Sequence, residues 1–459
     1  MALHLDSLRL RKVAVWGYGA EGQAALRLLR AYFPNKKFGL ILDADEAARW
    51  DFGDDPMIEV VTDPPSAGTF GQFQYIIKSP GISPYPYRKA MEWAGFRGTR
   101  FISGTSLWFG HHPRDKTAVI TGTKGKSTTS ALTAALLRAS GARVGLAGNI
   151  GLPLLDVIAV DPPADYWVIE LSSYQAADFV GHPAIFAVLN LSPEHLDWHG
   201  DVETYFNDKL RLAAPGVADL VIANAGDTTL MSRLAGIEHK TVFNHRGFWH
   251  ARGATVWYDD VCVVDLAQTA LRGEHNAGNV AAALTIVESF GIDPRPLLPA
   301  LASFQPLPHR LTSIGNRDGI EYIDDSIATT PAATLAAIRA LNRSDLVVIV
   351  GGFDRGVDWA TFVASVPKLN GLVVTGQNAE RILTALSAAN LSVPTVQVAD
   401  MESAVAAAQS MLPSGGVALL SPGAPSFDQY PNYAARGRAF AVAAGFEPID
   451  DRIAGIGVF

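Results

Sequence analysis

The chain has 459 residues, of which 48% are hydrophobic and 18% charged, with a net charge of −8 and one cysteine, Cys262. That length exceeds one ordinary core and predicts about two to four domains. The acidic balance and the lack of a long basic run exclude a nucleic-acid footprint, and one cysteine excludes an internal disulfide. The opening MALHLDSLRLRK lacks the apolar core of a signal peptide, and no apolar run approaches the ~20 residues of a membrane span. A cytoplasmic protein is expected.

The first strand-like run is KVAVWG (12–17), followed by FGLILD (38–43) and YIIKSPG (75–81). Between the first two lies Gly17-x-Gly19-x-x-Gly22, with Asp43 at the end of the next run. Spacing and context fit the dinucleotide fingerprint, in which a pyrophosphate rests on a helix N-terminus. A UDP diphosphate would use the same geometry as NAD, and a tight strand-to-helix turn needing small residues is the plain alternative.

TAVITG (117–122) leads into GTKGKST. Gly122 and Gly125 let backbone N–H groups turn toward an anion, Lys126 supplies a charge for the β/γ-phosphates, and Ser127 offers a hydroxyl to Mg²⁺. The spacing is two residues shorter than GxxxxGKS/T, so this is a variant P-loop. The next runs are YWVIELSS (166–173), IFAVLNLS (185–192) and LVIANAG (220–226). Glu170 closes the first of these, His195 lies in PEHLDWHG and Lys209 in YFNDKLRL. Polar residues at the carboxyl ends of parallel strands sit where open α/β sheets bind ligands. His199, in the same PEHLDWHG, is assigned to the surface.

GEHNAGN (273–279) opens a helix-like run with Asn276 and Asn279 on one face. Their amides can read a base edge, or Asn276 can cap the helix. Beyond Arg310 come IEYIDDS, LVVIVGG, GLVVTG and VALLSPG, with Arg310 and Arg355 as candidate partners for an anionic substrate. Strands alternating with helical segments predict an α/β protein with parallel, doubly covered sheets. Loops at 109–116 and 304–310 divide it into three domains, 1–112, 113–307 and 308–459.

Taken in order, TGTKGKST, ELSSYQ, EHLDWH, YxxxK, HNxxN, LPHR, DDS, GGxDRG and SPGAPSFDQ resemble the Mur ligases of peptidoglycan synthesis over nearly the whole chain. Within that family the series is most similar to the enzymes that join glutamate to UDP-N-acetylmuramoyl-L-alanine. The resemblance implies a Rossmann-like UDP-binding domain, a central P-loop ATPase domain with a parallel sheet and a Rossmann-like C-terminal domain for the incoming amino acid. It implies that Gly17, Tyr18, Gly19, Asp43, Ser79, Gly81, Asn149 and Ser173 hold the UDP-sugar. It assigns Gly122, Thr123, Lys124, Gly125, Lys126, Ser127, Thr128, Asn276, Arg310 and Asp325 to ATP. Ser127, Glu170, His195 and Lys209 would serve Mg²⁺, with Lys209 as a carbamylated lysine, and Lys126, His195 and Lys209 would be catalytic. Thr329, Arg355, Ser426 and Tyr433 would hold glutamate. The implied reaction runs through an acyl phosphate, in a monomer.

The glutamate enzymes for the D-isomer carry lysine where this chain has Ile327 and Arg355. SIATTP, GGFDRGVDW and SPGAPSF look more like the subgroup that adds L-glutamate, so L-glutamate is expected and D-glutamate is the alternative. A ligase of the folylpolyglutamate type would lack the GYGAEG domain. An NAD-dependent oxidoreductase would leave the ATP loop idle, and a non-catalytic UDP-sugar module would not need Lys126, Glu170, His195 and Lys209.

Overall fold

The computed structural model describes residues 3–50, 52, 55–112, 116–271, 273–389, 392–450 and 453–459. By internal contacts the chain divides into two compact units: Met1–Val264 with Ala277–Leu301 and Gly455–Phe459, and Asp265–Asn276 with Ala302–Ala454.

The first unit holds two parallel sheets. One has the order β3-β2-β1-β4-β5, from β1 (Val13–Trp16), β2 (Phe38–Ile41), β3 (Ile58–Val61), β4 (Tyr75–Lys78) and β5 (Arg100–Ile102). The other has the order β11-β10-β9-β6-β8-β7-β21. Its strands are β6 (Thr117–Thr121), β7 (Val144–Gly148), β8 (Tyr166–Glu170), β9 (Ile185–Val188), β10 (Leu220–Asn224), β11 (Lys240–Phe243) and, past all others in sequence, β21 (Gly457–Val458). The β21 strand pairs antiparallel with β7. Every residue of β1, β2, β4, β6, β7 and β9 is buried. Burial on both faces explains why these strands read as continuous apolar runs rather than as alternating ones.

The expected loop 109–116 needs correction: residues 109–111 belong to the helix Gly104–His111. Its Leu107, Trp108 and Phe109 are buried, and Trp108 packs edge-on against Trp167 at 5.0 Å between centroids. Ser103 caps the helix by accepting from Ser106 N. Apolar burial thus outweighed the His pair as a breaker signal. Residues 113–115, where the first boundary was expected, lie outside the described residues.

A three-stranded antiparallel sheet follows, from β12 (Trp249–Arg252), β13 (Thr255–Tyr258) and β14 (Val261–Asp265). Its short strands are partly exposed, and even the apolar run Val261–Val264 of β14 is not buried.

The second unit is one six-stranded sheet, β15-β16-β20-β17-β18-β19. Its strands are β15 (Thr312–Arg317), β16 (Ile320–Asp324), β17 (Leu346–Gly351), β18 (Gly371–Thr375), β19 (Thr395–Gln397) and β20 (Gly416–Leu420). Only β15 runs antiparallel. The loops after β16, β17 and β20 are DDS, GGFDRG and SPGAPSF, so strand order gathers three chemistry-bearing loops at one sheet end. Among the described residues no helix is long and apolar enough to cross a membrane.

Candidate active site

Two glycine-rich loops lie at the carboxyl ends of central strands in the first unit. Gly17 leaves β1 at φ +87, and Gly19 precedes the helix Ala20–Tyr32 without a side-chain cap. A Cβ on Gly22 would stand 2.0 Å from the Gly17 carbonyl oxygen, so only glycine lets the helix approach this closely. Ser79 Oγ donates to that same carbonyl at 3.0 Å. Asp43 is exposed and caps the helix Ala44–Arg49 by accepting from Glu46 N at 2.6 Å. Glu46 in turn reaches back to accept from Tyr18 N at 2.9 Å. A carboxylate thus already sits on a backbone donor of this loop, the behaviour of an anion-binding turn. Gly81 O accepts from Trp198 Nε1 at 3.1 Å.

The second loop follows β6. Gly125 adopts φ +85, and a Cβ there would stand 2.4 Å from Asn279 Oδ1. Lys124 N donates to Asn190 Oδ1 at 2.8 Å, which anchors the loop to the end of β9. The helix Lys126–Ala139 then starts with no side-chain cap, leaving its first donors facing the loop. Lys126 Nζ folds back onto Gly122 O at 3.0 Å and Thr123 O at 3.1 Å. Lys209 Nζ, only 2% exposed as a residue, donates to the same Gly122 O at 3.0 Å. Two lysine nitrogens therefore share one carbonyl. Burial, and then the charge of Lys126, hold the Lys209 amine well below the ordinary lysine range.

Carboxylates face these cations. Glu170 ends β8 at 1% exposure; its Oε1 accepts from Asn149 Nδ2 at 2.7 Å, and its Oε2 is buried without a hydrogen-bond partner. Glu194 pairs with Lys124 at 2.5 Å. Burial raises the Glu194 carboxyl, but Lys124, His195 and Lys126 outweigh it and leave it below its usual range. His195 sits at φ +57, a left-handed conformation that costs a non-glycine residue about 1–3 kcal/mol. Burial lowers its imidazole, and Lys209 and Lys126 lower it further against the pull of Glu194. Its Nε2 lies 3.6 Å from Glu194 Oε2.

The donor set fits Mg²⁺. The orphaned Glu170 oxygen is a hard ligand, Ser127 offers a hydroxyl as the second residue of the helix after the loop, and His195 stands near Glu194. Among the described residues no group of three or more His, Cys, Asp or Glu forms a metal cage. Such a site suits an ion that keeps waters and takes substrate phosphate oxygens.

Sequence reasoning did not single out Glu194 or Tyr205. Tyr205 OH lies 3.0 Å from Thr123 Oγ1, which also donates to Ser192 O at 3.0 Å. Their signals were proximity to His195 and the first residue of YxxxK. Asn279 lies against the loop: its Oδ1 accepts from Thr129 Oγ1 at 3.3 Å and stands 2.4 Å from where a Cβ on Gly125 would be. Asn276 does not cap the helix, which begins at Glu274 and places Asn276 in its first turn. Thr128 likewise lies in the first turn of its helix. His199 is not at the surface: it is 1% exposed, with Nδ1 at 2.7 Å from Asp208 Oδ2 and Nε2 at 3.0 Å from Ser173 Oγ.

In the second unit, Asp325 accepts from Ser421 Oγ at 2.7 Å and from Leu311 N at 3.3 Å. Burial pushes its carboxyl up to about 7. Asp324 holds His309 Nδ1 at 2.7 Å, and the His309 ring meets Tyr433 at 5.7 Å. Arg310 lies between His309 at φ +63 and Leu311 at φ +48. Ser426 is buried, Thr329 half-buried and Arg355 exposed. Arg436, which sequence reasoning passed over, is 3% exposed and donates to Ser326 O and Ala424 O at 2.9 Å each.

Parallel sheets with a P-loop-type strand, loop and helix, two converging lysines and an orphaned carboxylate oxygen define an α/β nucleoside-triphosphate-using enzyme. Residues 120–287 match the model of the Mur ligase middle domain, and residues 309–423 match that of the Mur ligase glutamate ligase domain. A UDP-N-acetylmuramoyl-L-alanine–L-glutamate ligase of Xanthomonas euvesicatoria pv. vesicatoria is 44% identical over 473 residues, covering 99% of this chain and 100% of its own. One of the same name from a Micromonospora species is 36% identical, covering 96% of this chain and 98% of its own. The chain belongs to the Mur ligase family. The fold agrees with two solved structures. A UDP-N-acetylmuramate-alanine ligase of Thermotoga maritima has a TM-score of 0.55 at 18% identity over 90% of this chain and 96% of its own. A folylpolyglutamate synthase of Mycobacterium tuberculosis complexed with ADP has a TM-score of 0.58 at 16% identity over 75% and 94%.

Proposed function

We propose that this chain is an ATP-dependent amide ligase that adds L-glutamate to UDP-N-acetylmuramoyl-L-alanine in peptidoglycan precursor synthesis. Relatives that carry this activity in their names span the whole chain, and they add the L-isomer. D-glutamate is therefore not the substrate favoured, and the oxidoreductase reading of GYGAEG falls with family membership. The observation that carries the chemistry is the convergence of Lys126 and Lys209 on the Gly122 carbonyl, within electrostatic reach of Glu170.

The alanyl carboxylate of the acceptor attacks the γ-phosphorus of ATP, giving an acyl phosphate and ADP. The glutamate amine then attacks the acyl carbon, losing a proton as phosphate departs. Both partners of the first step are anions. Lys126 and the uncapped helix N-terminus neutralise the phosphates as they meet. Mg²⁺, when bound, supplies further neutralisation; Ser127, Glu170, His195 and Lys209 are its proposed holders. An ammonium cannot ligate a cation, but a carbamate presents oxygens. The Lys209 amine gives up its proton at a lower pH than an exposed lysine does, and the neutral amine is the form that reacts with CO₂. Carbamylation at Lys209 follows as a proposal.

GYGAEG with Asp43, Ser79, Gly81, Asn149 and Ser173 is assigned to the UDP-sugar. In the second unit Arg310 and Asp325 are assigned to ATP, and Thr329, Arg355, Ser426 and Tyr433 to glutamate. These roles correspond to functional domains 1–112, 113–307 and 308–459 in a monomeric, cytoplasmic enzyme. The test is phosphate release with ATP, Mg²⁺ and the acceptor. Release on adding glutamate supports the reading, and its absence with either isomer removes it.

A further inference from the structure

His199 is buried and takes no part in the chemistry above, yet it sits inside a chain of hydrogen bonds. Asp208 Oδ2 accepts from Tyr85 OH and from His199 Nδ1, and His199 Nε2 meets Ser173 Oγ. A carboxylate oxygen only accepts, so Nδ1 carries a proton, and in the neutral imidazole Nε2 is then the acceptor for the Ser173 hydroxyl. Burial, and then the bond to Asp208, raise the Tyr85 phenol above its ordinary range, which keeps it a donor. Each of these four side chains thus has a defined donor or acceptor role.

The chain joins segments of different function. Tyr85 belongs to the loop after β4 that carries Ser79 and Gly81. Asp208 immediately precedes Lys209 in the helix Val202–Lys209, and His199 ends the helix Leu196–His199 that follows His195. Ser173 opens the helix after Glu170. Trp198 reinforces the join. Its Nε1 donates to Gly81 O at 3.1 Å, its carbonyl accepts from Ser83 Oγ at 2.7 Å, and its ring stacks on Tyr174 at 4.6 Å. The Tyr174 ring in turn lies 5.1 Å from that of His195.

We infer that Tyr85, His199 and Asp208 are positioning residues that register the acceptor segment 79–87 against the two helices that carry His195 and Lys209. The inference rests on the ligase reading, since it concerns how the acceptor carboxylate is aligned with the phosphate-binding end of the same site. Alignment matters because a reacting group misplaced by about 1 Å can cost 10²-fold in rate. A loosened register also exposes the acyl phosphate to water.

The test uses Tyr85→Phe and His199→Phe in the full-length enzyme, with His199→Gln as the variant that can keep a donor toward Asp208. Initial rates give kcat and the KM of ATP and of the acceptor, thermal unfolding reports the folded state, and phosphate is counted against ligated product. The inference expects Tyr85→Phe to stay folded, with about tenfold lower kcat, an unchanged KM for ATP and more than one phosphate per product. It expects His199→Gln to recover part of what His199→Phe loses. Wild-type kcat and one-to-one stoichiometry in folded Tyr85→Phe and His199→Phe would overturn it. So would loss of activity only in proportion to the unfolded fraction. Absence of turnover in the wild-type enzyme would count against the ligase reading instead.

Discussion

The two glycine-rich loops of the first unit share a backbone plan and differ in their furnishing. Each follows a buried parallel strand, turns through a left-handed glycine and opens an uncapped helix. Around GYGAEG the charged groups are taken up in structural contacts: Asp43 caps a helix, Glu46 occupies Tyr18 N, Glu21 accepts from Gln175 Nε2, and the buried Lys78 pairs with Asp178. Around GTKGKS stand Lys124, Lys126 and Lys209, balanced by Glu170 and Glu194. The geometry alone binds a phosphate, whereas the crowded, mutually perturbed charges are what chemistry on a phosphate needs. On the proposed function, one loop is the holder and the other the reaction site.

The largest effect that this contrast predicts is at Lys126. Lys126→Ala should lower kcat about 10³-fold with the fold retained, read by thermal unfolding, because it removes the charge that Lys126 Nζ brings to the loop carbonyls of Gly122 and Thr123. Near-normal turnover would erase the distinction between the loops.

Lys209 gives a pH signature. An ordinary lysine gains neutral amine about tenfold per pH unit up to its pKa. With its pKa depressed, the neutral fraction of Lys209 falls off only at lower pH and is level above that point. Enzyme freed of CO₂ should therefore regain activity with bicarbonate at a rate, corrected for dissolved CO₂, that rises less steeply with pH than the tenfold per unit of an exposed lysine. A carbamate carbon signal from labelled bicarbonate should appear in the wild type and vanish in Lys209→Ala, whose turnover should fall about 10²-fold. A tenfold rise per pH unit would show an ordinary, solvated amine.

In the holder loop, Gly22→Ala drives a Cβ into the Gly17 carbonyl. The expected result is a loss of about 10²-fold in kcat/KM for the UDP-sugar, with the KM of ATP measured in parallel and unchanged. The smallest effect belongs to Glu46→Gln. It removes a negative charge from beside Tyr18 N, so the KM of the UDP-sugar should fall about two- to threefold as phosphate repulsion eases. A raised KM would mean that Glu46 shapes the loop more than it repels the ligand.

Much of this was legible before any coordinates. Strands buried on both faces announce themselves as apolar runs, and the two loops carry glycines at positions where backbone approach allows nothing else. The short strands β3, β5 and β19 and the sheet β12–β14 were not legible, because half-exposed residues blur the pattern. His199 was misplaced for another reason. Its burial comes from Tyr85, distant by more than a hundred positions, and no local pattern encodes that contact. Asp43 fits the spacing of a ribose ligand, yet its side chain is used as a helix cap.

The central claim is that ATP, gathered at Lys126 and Lys209, activates the acceptor's carboxylate for L-glutamate. The most direct measurement incubates the enzyme with ATP, Mg²⁺ and UDP-N-acetylmuramoyl-L-alanine, adds L- or D-glutamate separately, and follows phosphate and dipeptide product. The account predicts one phosphate per product with L-glutamate and neither with D-glutamate. Phosphate and product with D-glutamate alone, or with neither isomer, would contradict it.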